Sequence, residues 1–202
     1  TNQVLEAIHA KEEVPLYMAP LIIVSTLITH LVGGSAGREG AALQLGGSIG
    51  EQLGRWFRFD DKDRGLMVMC GMSAAFSALF GTPLAAAVFP MEVASVGIMH
   101  YAALVPCVLS ALIANVISSL FWVASTSFTL AAIPELSAIS LLQTIGLGIV
   151  FGALASLFCR AMHMGGTLYK KIENPYLRIV VGGCIVVLLS LLVRSGDYNG
   201  AG

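Results

Sequence analysis

The chain of 202 residues carries only 11 lysines and arginines and 12 aspartates and glutamates, is 56% hydrophobic, and has a mean hydropathy of +0.83. Charged residues make up 11% of it, against about 25% in ordinary soluble domains, and a formal charge of -1 leaves no basic footprint for DNA or RNA. Intervals 14–37, 65–91, 93–134 and 136–159 hold no Asp, Glu, Lys or Arg and run for 24, 27, 42 and 24 residues. Each exceeds the roughly 20 residues that an α-helix needs to cross a bilayer core of about 30 Å. This pattern predicts an all-α, polytopic integral membrane protein in contact with the lipid bilayer. It excludes a nucleic-acid binder, a disulfide-stapled secreted module and a disordered tail.

Residues 1–13 are polar and lack the basic cluster and short apolar run of a signal peptide. Segment 15–32 reads as a long helix with Pro15 in its first turn, where a missing N–H is harmless, and it ends at Gly33 and Gly34. The glycine-rich passage GGSAGREG then leads into a second helix over 41–57, whose Gly46, Gly47, Ser48 and Gly50 permit close approach of a neighbour. The run RFDDKDR, 58–64, reads as a solvated interfacial loop before a span over 65–80 that stops at Gly81-Thr82-Pro83.

The following PLAAAVFPMEVASV, with Pro90 and Glu92, is too short to cross alone and predicts a re-entrant or half-membrane helix. A full apolar helix over 99–124, a connector over 125–138, a long helix over about 137–168 and a last span over 178–194 complete the order. Basic residues gather both at 55–64 and at 160–178, so the positive-inside rule leaves orientation open. The closing DYNGAG breaks off in mid-phrase, and the chain reads as a piece of a longer one. Tyr17, Trp56, Tyr101 and Trp122 suit interfacial or packing positions.

Cys70, Cys107, Cys159 and Cys184 lie in apolar stretches without CxxC spacing and read as small buried hydrophobes. His30 and His100, near helix ends, read as satisfied neutral imidazoles. Neither set suggests a metal or a cofactor, and none is expected.

Glu39 is the residue that most needs a reason. An ionisable side chain between an uncharged helix and a small-residue helix is a functional candidate by default in a membrane. In Gly37-Arg38-Glu39-Gly40-Ala41 the glycines free the backbone and a helix begins, so unpaired first-turn N–H groups and the positive end of the helix dipole converge there. Such a helix start holds an anion, either the Glu39 carboxylate itself or a transported ion once Glu39 is protonated and swings away. The simpler alternative is that Arg38 and Glu39 only cap a helix at the membrane interface. Glu92 admits a place in the same pathway or a structural role, accepting hydrogen bonds at a helix end near Pro90; the structural role is the expectation.

The stretch GGSAGREGAALQLGGSIG closely resembles the GREGP-containing segment of the CLC family of anion channels and anion/proton antiporters. Residues Ala74–Ala85, AAFSALFGTPLA, are similar to that family's AAAFNAPLAG-type turn, and Phe89-Pro90-Met91-Glu92 to its F-x-x-E. The three lie in register over about 60 residues. The resemblance implies a CLC-like inverted-repeat fold with tilted, broken and half-membrane helices. In it, 1–202 are part of one transmembrane domain, the later part of the first repeat and the start of the second. It also implies a transporter rather than an enzyme, with Glu39 as the gating and proton-coupling residue.

Departures from the chloride-type pattern narrow the reading. Ala41 stands where chloride-type members have proline, Val93 where antiporters of that type have a second acid, and TNQVLE near the start has neither the serine nor the proline of GSGIP. These resemble the bacterial fluoride branch, which implies export of fluoride in exchange for protons across a bacterial inner membrane. A chloride channel or chloride/proton antiporter, and a non-transporting membrane scaffold, are the alternatives. The family's GxFxP segment and pore tyrosine would follow Gly202. Family resemblance further implies a homodimer whose interface uses Pro83 to about Val123.

Overall fold

A computed structural model describes residues 2–8, 14–34, 37–94, 100–123 and 137–193. Among these there is no strand. The helices are α1 (Asn2–Ile8), α2 (Met18–Leu31), α3 (Glu39–Trp56), α4 (Asp61–Phe80), α5 (Pro83–Ala94), α6 (Leu104–Leu120, preceded by a 3-10 turn over Tyr101–Ala103), α7 (Ala138–Lys170) and α8 (Pro175–Val193). They fall into two compact units, α1 to α6 in one and α7 with α8 in the other.

In the first unit α4 is the hub, packed against α1, α3, α5 and α6. The small residues expected to allow close approach do so. A Cβ on Gly46 would collide with the Gly71 carbonyl, one on Gly71 with the Gly46 carbonyl, and one on Gly50 with the Met67 carbonyl. Antiparallel α3 and α4 thus touch backbone to backbone. Serines stitch the other contacts with hydrogen bonds, which lipid cannot replace. Ser73 Oγ donates to the Ala86 carbonyl of α5 at 2.8 Å, Ser77 Oγ to the Ala111 carbonyl of α6 at 2.7 Å, and Ser118 Oγ of α6 back to the Ala78 carbonyl at 3.1 Å. Val68, Met72, Ala86, Ala87, Met91, Cys107 and Ala111 form the buried core around these bonds.

The break between α4 and α5 follows the sequence expectation. Gly81 takes the left-handed conformation, φ 67°, that ends α4, and Pro83 opens α5. Twelve residues of α5 span about 18 Å at 1.5 Å per residue, short of a bilayer core. Tyr101 and Trp122, both exposed, bracket α6 like interfacial anchors.

Five helix starts differ from expectation: α3 starts at Glu39 rather than 41 and α6 at Leu104 rather than 99, and the other three have a local cause. Pro15 stays outside α2, which begins at Met18 after a turn in which Met18 N–H donates to the Pro15 carbonyl at 3.0 Å. The charged run 58–64 is not all loop. Asp60 is extended and its carboxylate accepts the Asp63 N–H at 2.9 Å, so α4 starts at Asp61, inside that run. Acids in a first turn complement the helix dipole, which is why a charged stretch can open an apolar helix. The last helix starts at Pro175, not 178, because Asn174 Oδ1 accepts the Tyr176 N–H at 3.0 Å and proline suits the first helical position.

In the second unit, α7 and α8 bury none of their residues. With the segment Tyr101–Leu120 they are the three described helices long and apolar enough to cross a membrane. At 33 residues, α7 is about 50 Å long, so it tilts or extends beyond a hydrocarbon core of about 30 Å. Cys159 and Cys184 sit on these helices and are exposed, contrary to the expectation that all four cysteines are buried. An apolar interval marks a helix but not which of its faces meets protein. Most of the 125–138 connector lies outside the described residues.

Candidate functional site

The start of α3 collects Gly37, Arg38, Glu39, Gly40 and Ala41 at one point. Glu39 is the first helical residue, and Arg38, at φ -85° and ψ -22°, precedes it without a side-chain cap. The first hydrogen bond of the helix at this end runs from Ala42 N–H to the Arg38 carbonyl, 2.9 Å. The N–H groups of Glu39, Gly40 and Ala41 therefore have no acceptor within the helix. The Glu39 side chain is exposed and folds back over residue 37, where a Cβ would stand 2.5 Å from Oε2. Only glycine leaves that carboxylate its place.

Glu92 is on the exposed side of α5, between buried Met91 and the helix end at Ala94. Its carboxylate forms no hydrogen bond or ion pair among the described residues, so it does not act as the helix-end acceptor expected of it. Neither does any bond join it to the Glu39 segment; α5 packs on α1, α4 and α6. Among the described residues no group of three or more His, Cys, Asp or Glu could hold a metal.

The charged centre that sequence reasoning missed is Glu51, three turns along α3 and fully buried. Its Oε1 receives Arg64 Nη2 at 2.5 Å and Arg55 Nε at 3.2 Å, and Arg64 Nη1 also reaches Asp61 Oδ1 at 3.2 Å. Arg64 is thus not a loop cation; with Arg55 it grounds a buried carboxylate that ties α3 to the first turn of α4. Two signals could have found it. Glu51 and Arg55 stand four residues apart on a helix, and Glu51 shares the face of Gly47 and Gly54, four residues before it and three after.

A family model for the voltage gated chloride channel matches residues 1–202. A chloride/fluoride channel protein of Pseudomonas syringae pv. tomato is 37% identical over 199 residues, covering 98% of this chain and 44% of the relative. The voltage-gated ClC-type chloride channel ClcB of Escherichia coli O6:H1 is 31% identical over 192 residues, covering 91% and 44% respectively. Among solved structures, the crystal structure of a CLC-type fluoride/proton antiporter superposes with a TM-score of 0.91 at 35% identity, over 98% of this chain and 51% of that one. The chain spans about half the length of these proteins.

Proposed function

The chain belongs to the voltage gated chloride channel family, and on that premise we propose that the full-length protein exports fluoride across a bacterial inner membrane in exchange for protons. Glu39 is the gating and proton-coupling residue in this reading, and the N–H groups around Gly37, Arg38, Gly40 and Ala41 supply the anion's hydrogen bonds. The supporting observation is the open start of α3: a carboxylate and three first-turn donors at one place, with no side-chain cap from Arg38. Fluoride is small and strongly hydrated, so a site for it must replace water with several donors. Backbone N–H groups at a helix start do so without ordering long side chains.

Exchange follows if the Glu39 carboxylate and the anion compete for those donors. The acid leaves, protonated, as the anion enters, and delivers its proton before it returns. The fluoride/proton antiporter likeness and the chloride/fluoride channel relative both favour fluoride. A chloride channel or chloride/proton antiporter is the second reading, favoured by the chloride-channel relatives. Glu92, exposed on α5, is a possible secondary acid of the pathway. A homodimer built through Pro83 to Val123 completes the proposal. Leu109, Leu112, Ile113 and Val116, exposed and apolar on α6, suit a helix–helix contact in lipid.

Anion and proton flux from liposomes holding the full-length protein tests this directly. Fluoride efflux that drives proton uptake, with chloride far slower, is the expected result. Faster chloride flux would transfer the assignment to the chloride reading, and no flux of either ion would leave a scaffold.

A further inference from the structure

The contact between α4 and α6 contains a feature that anion transport does not use. Cys70 on α4 and Cys107 on α6 are both buried in this contact and lie beside each other, with Ser110 beside Cys70 and Ser73 beside Cys107. The helices run parallel here, since Cys70 pairs with Cys107, Ser77 with Ala111 and Ala78 with Ser118. They are also close. Ser77 reaches the backbone of α6 and Ser118 the backbone of α4, each through a single hydroxyl, at 2.7 and 3.1 Å. Cys70 stands seven residues before Ser77 and Cys107 four before Ala111, so both lie on the helix faces that these bonds join; a disulfide there requires Cα atoms about 4.4–6.8 Å apart.

Access is one-sided. Cys70 and Ser110 line an apolar cavity of about 620 Å³ whose other walls include Gly46, Gly50, Ala74 and Ala114. Cys107 is fully buried and is not part of that wall. A buried cysteine without such a route is inert; this pair has a route to one sulfur and a partner behind it.

We propose that Cys70 and Cys107 form a redox-sensitive thiol pair, a modification site at which a small lipophilic disulfide enters the cavity and oxidation staples α4 to α6. The chemistry is two exchanges. Cys70 gives up its proton and its sulfur attacks one sulfur of the reagent, breaking the reagent's S–S bond and expelling one thiol. Cys107 then gives up its proton and attacks the Cys70 sulfur of the mixed disulfide, expelling the second thiol. Two cysteine thiols are oxidised to one disulfide, the reagent is reduced to two thiols, and both protons leave with them.

The test uses the full-length protein with Cys159→Ser and Cys184→Ser, reconstituted in liposomes, treated with 4,4′-dithiodipyridine, alkylated and digested for mass spectrometry. The expected result is a Cys70–Cys107 cross-linked peptide, two thiopyridones released per chain from this pair, and reversal by dithiothreitol. Adding Cys107→Ser should leave a stable pyridylthio adduct on Cys70 and halve the release. A lasting adduct on Cys70 while Cys107 is still present would overturn the proposal, and so would both thiols emerging alkylated.

Discussion

Two helix starts in the same packed unit solve one problem in opposite ways. At α4, Asp60 takes an extended backbone, its carboxylate accepts the Asp63 N–H, and Asp61 and Asp63 add negative charge to the first turn. At α3, Arg38 is already in the helical region, offers no side-chain cap, and the only acid of the first turn is Glu39 itself. The α4 start is closed by its own sequence, as a helix end facing water usually is. The α3 start leaves its donors without a side-chain cap, which is what the proposed anion site requires. The difference lies in the residue at the cap: a short acid closes the end, while a long cation between Gly37 and Glu39 does not.

The largest effect is expected from removing the proton that the proposed mechanism exchanges at the open start. Glu39→Gln keeps the size of the side chain but cannot take up and release a proton, so proton movement coupled to the anion should be abolished. Fluoride flow should stop with it, because strongly hydrated fluoride gains from a protonated donor beside it more than a larger halide does. Simultaneous fluoride and proton fluxes in liposomes decide the matter. Uncoupled but undiminished fluoride flow would make Glu39 only a competitor for the donors, and unchanged coupling would remove it from the mechanism.

The next effect concerns the link between the two helices. Arg64, in the first turn of α4, joins Asp61 to buried Glu51 of α3. Removing one partner of a fully buried pair costs about 3–5 kcal/mol. Here the Arg64 and Arg55 side chains remain 19% and 30% exposed, so water screens part of the loss and Glu51→Ala should destabilise by about 2 kcal/mol. Thermal unfolding in detergent measures this. A change under about 0.5 kcal/mol would show that the pair behaves as a surface one.

A smaller change sharpens the contrast at the open start. Gly37→Ala puts a methyl group where Glu39 Oε2 now lies. The carboxylate is the end of a flexible side chain and can move, so stability should change by less than about 0.5 kcal/mol. Fluoride flux should fall severalfold, because the acid is displaced from its resting place. Flux equal to the parent would mean that this resting place does not matter.

Much of this was legible in the sequence, for physical reasons that also explain the rest. Charge-free intervals located the spans, Gly81 followed by Pro83 located the break before α5, and the small residues of α3 foretold a close helix contact, without saying that α4 would make it. The glycines around Glu39 marked a helix start, and α3 begins there. Local patterns carry such information because each is decided by the backbone of a few neighbouring residues. What escaped depends on partners distant in the chain. Glu51 pairs with Arg64 thirteen residues away, and Cys70 with Cys107 across two helices. The start of α4 escaped for a different reason: its charges resembled a loop, although at a helix end charged side chains can project outward while the backbone coils.

The closed start supplies the smallest effect on transport and the control for the open one. Asp60→Ala removes the oxygen that accepts the Asp63 N–H, which typically costs about 1 kcal/mol. It also removes one negative charge from the positive end of a helix dipole, worth about 0.3–1 kcal/mol when exposed. Asp60→Asn separates the two, since the amide oxygen still accepts the hydrogen bond while the charge is lost. If the cap dominates, Asn should retain most of the stability in a thermal melt and Ala should not. Equal losses would assign the effect to the dipole, which Asp61 and Asp63 would then share. In either case fluoride and proton fluxes should match the parent, because the proposed anion site is at the start of α3 and not here. A flux defect in Asp60→Asn would mean that the two starts are less different than their caps.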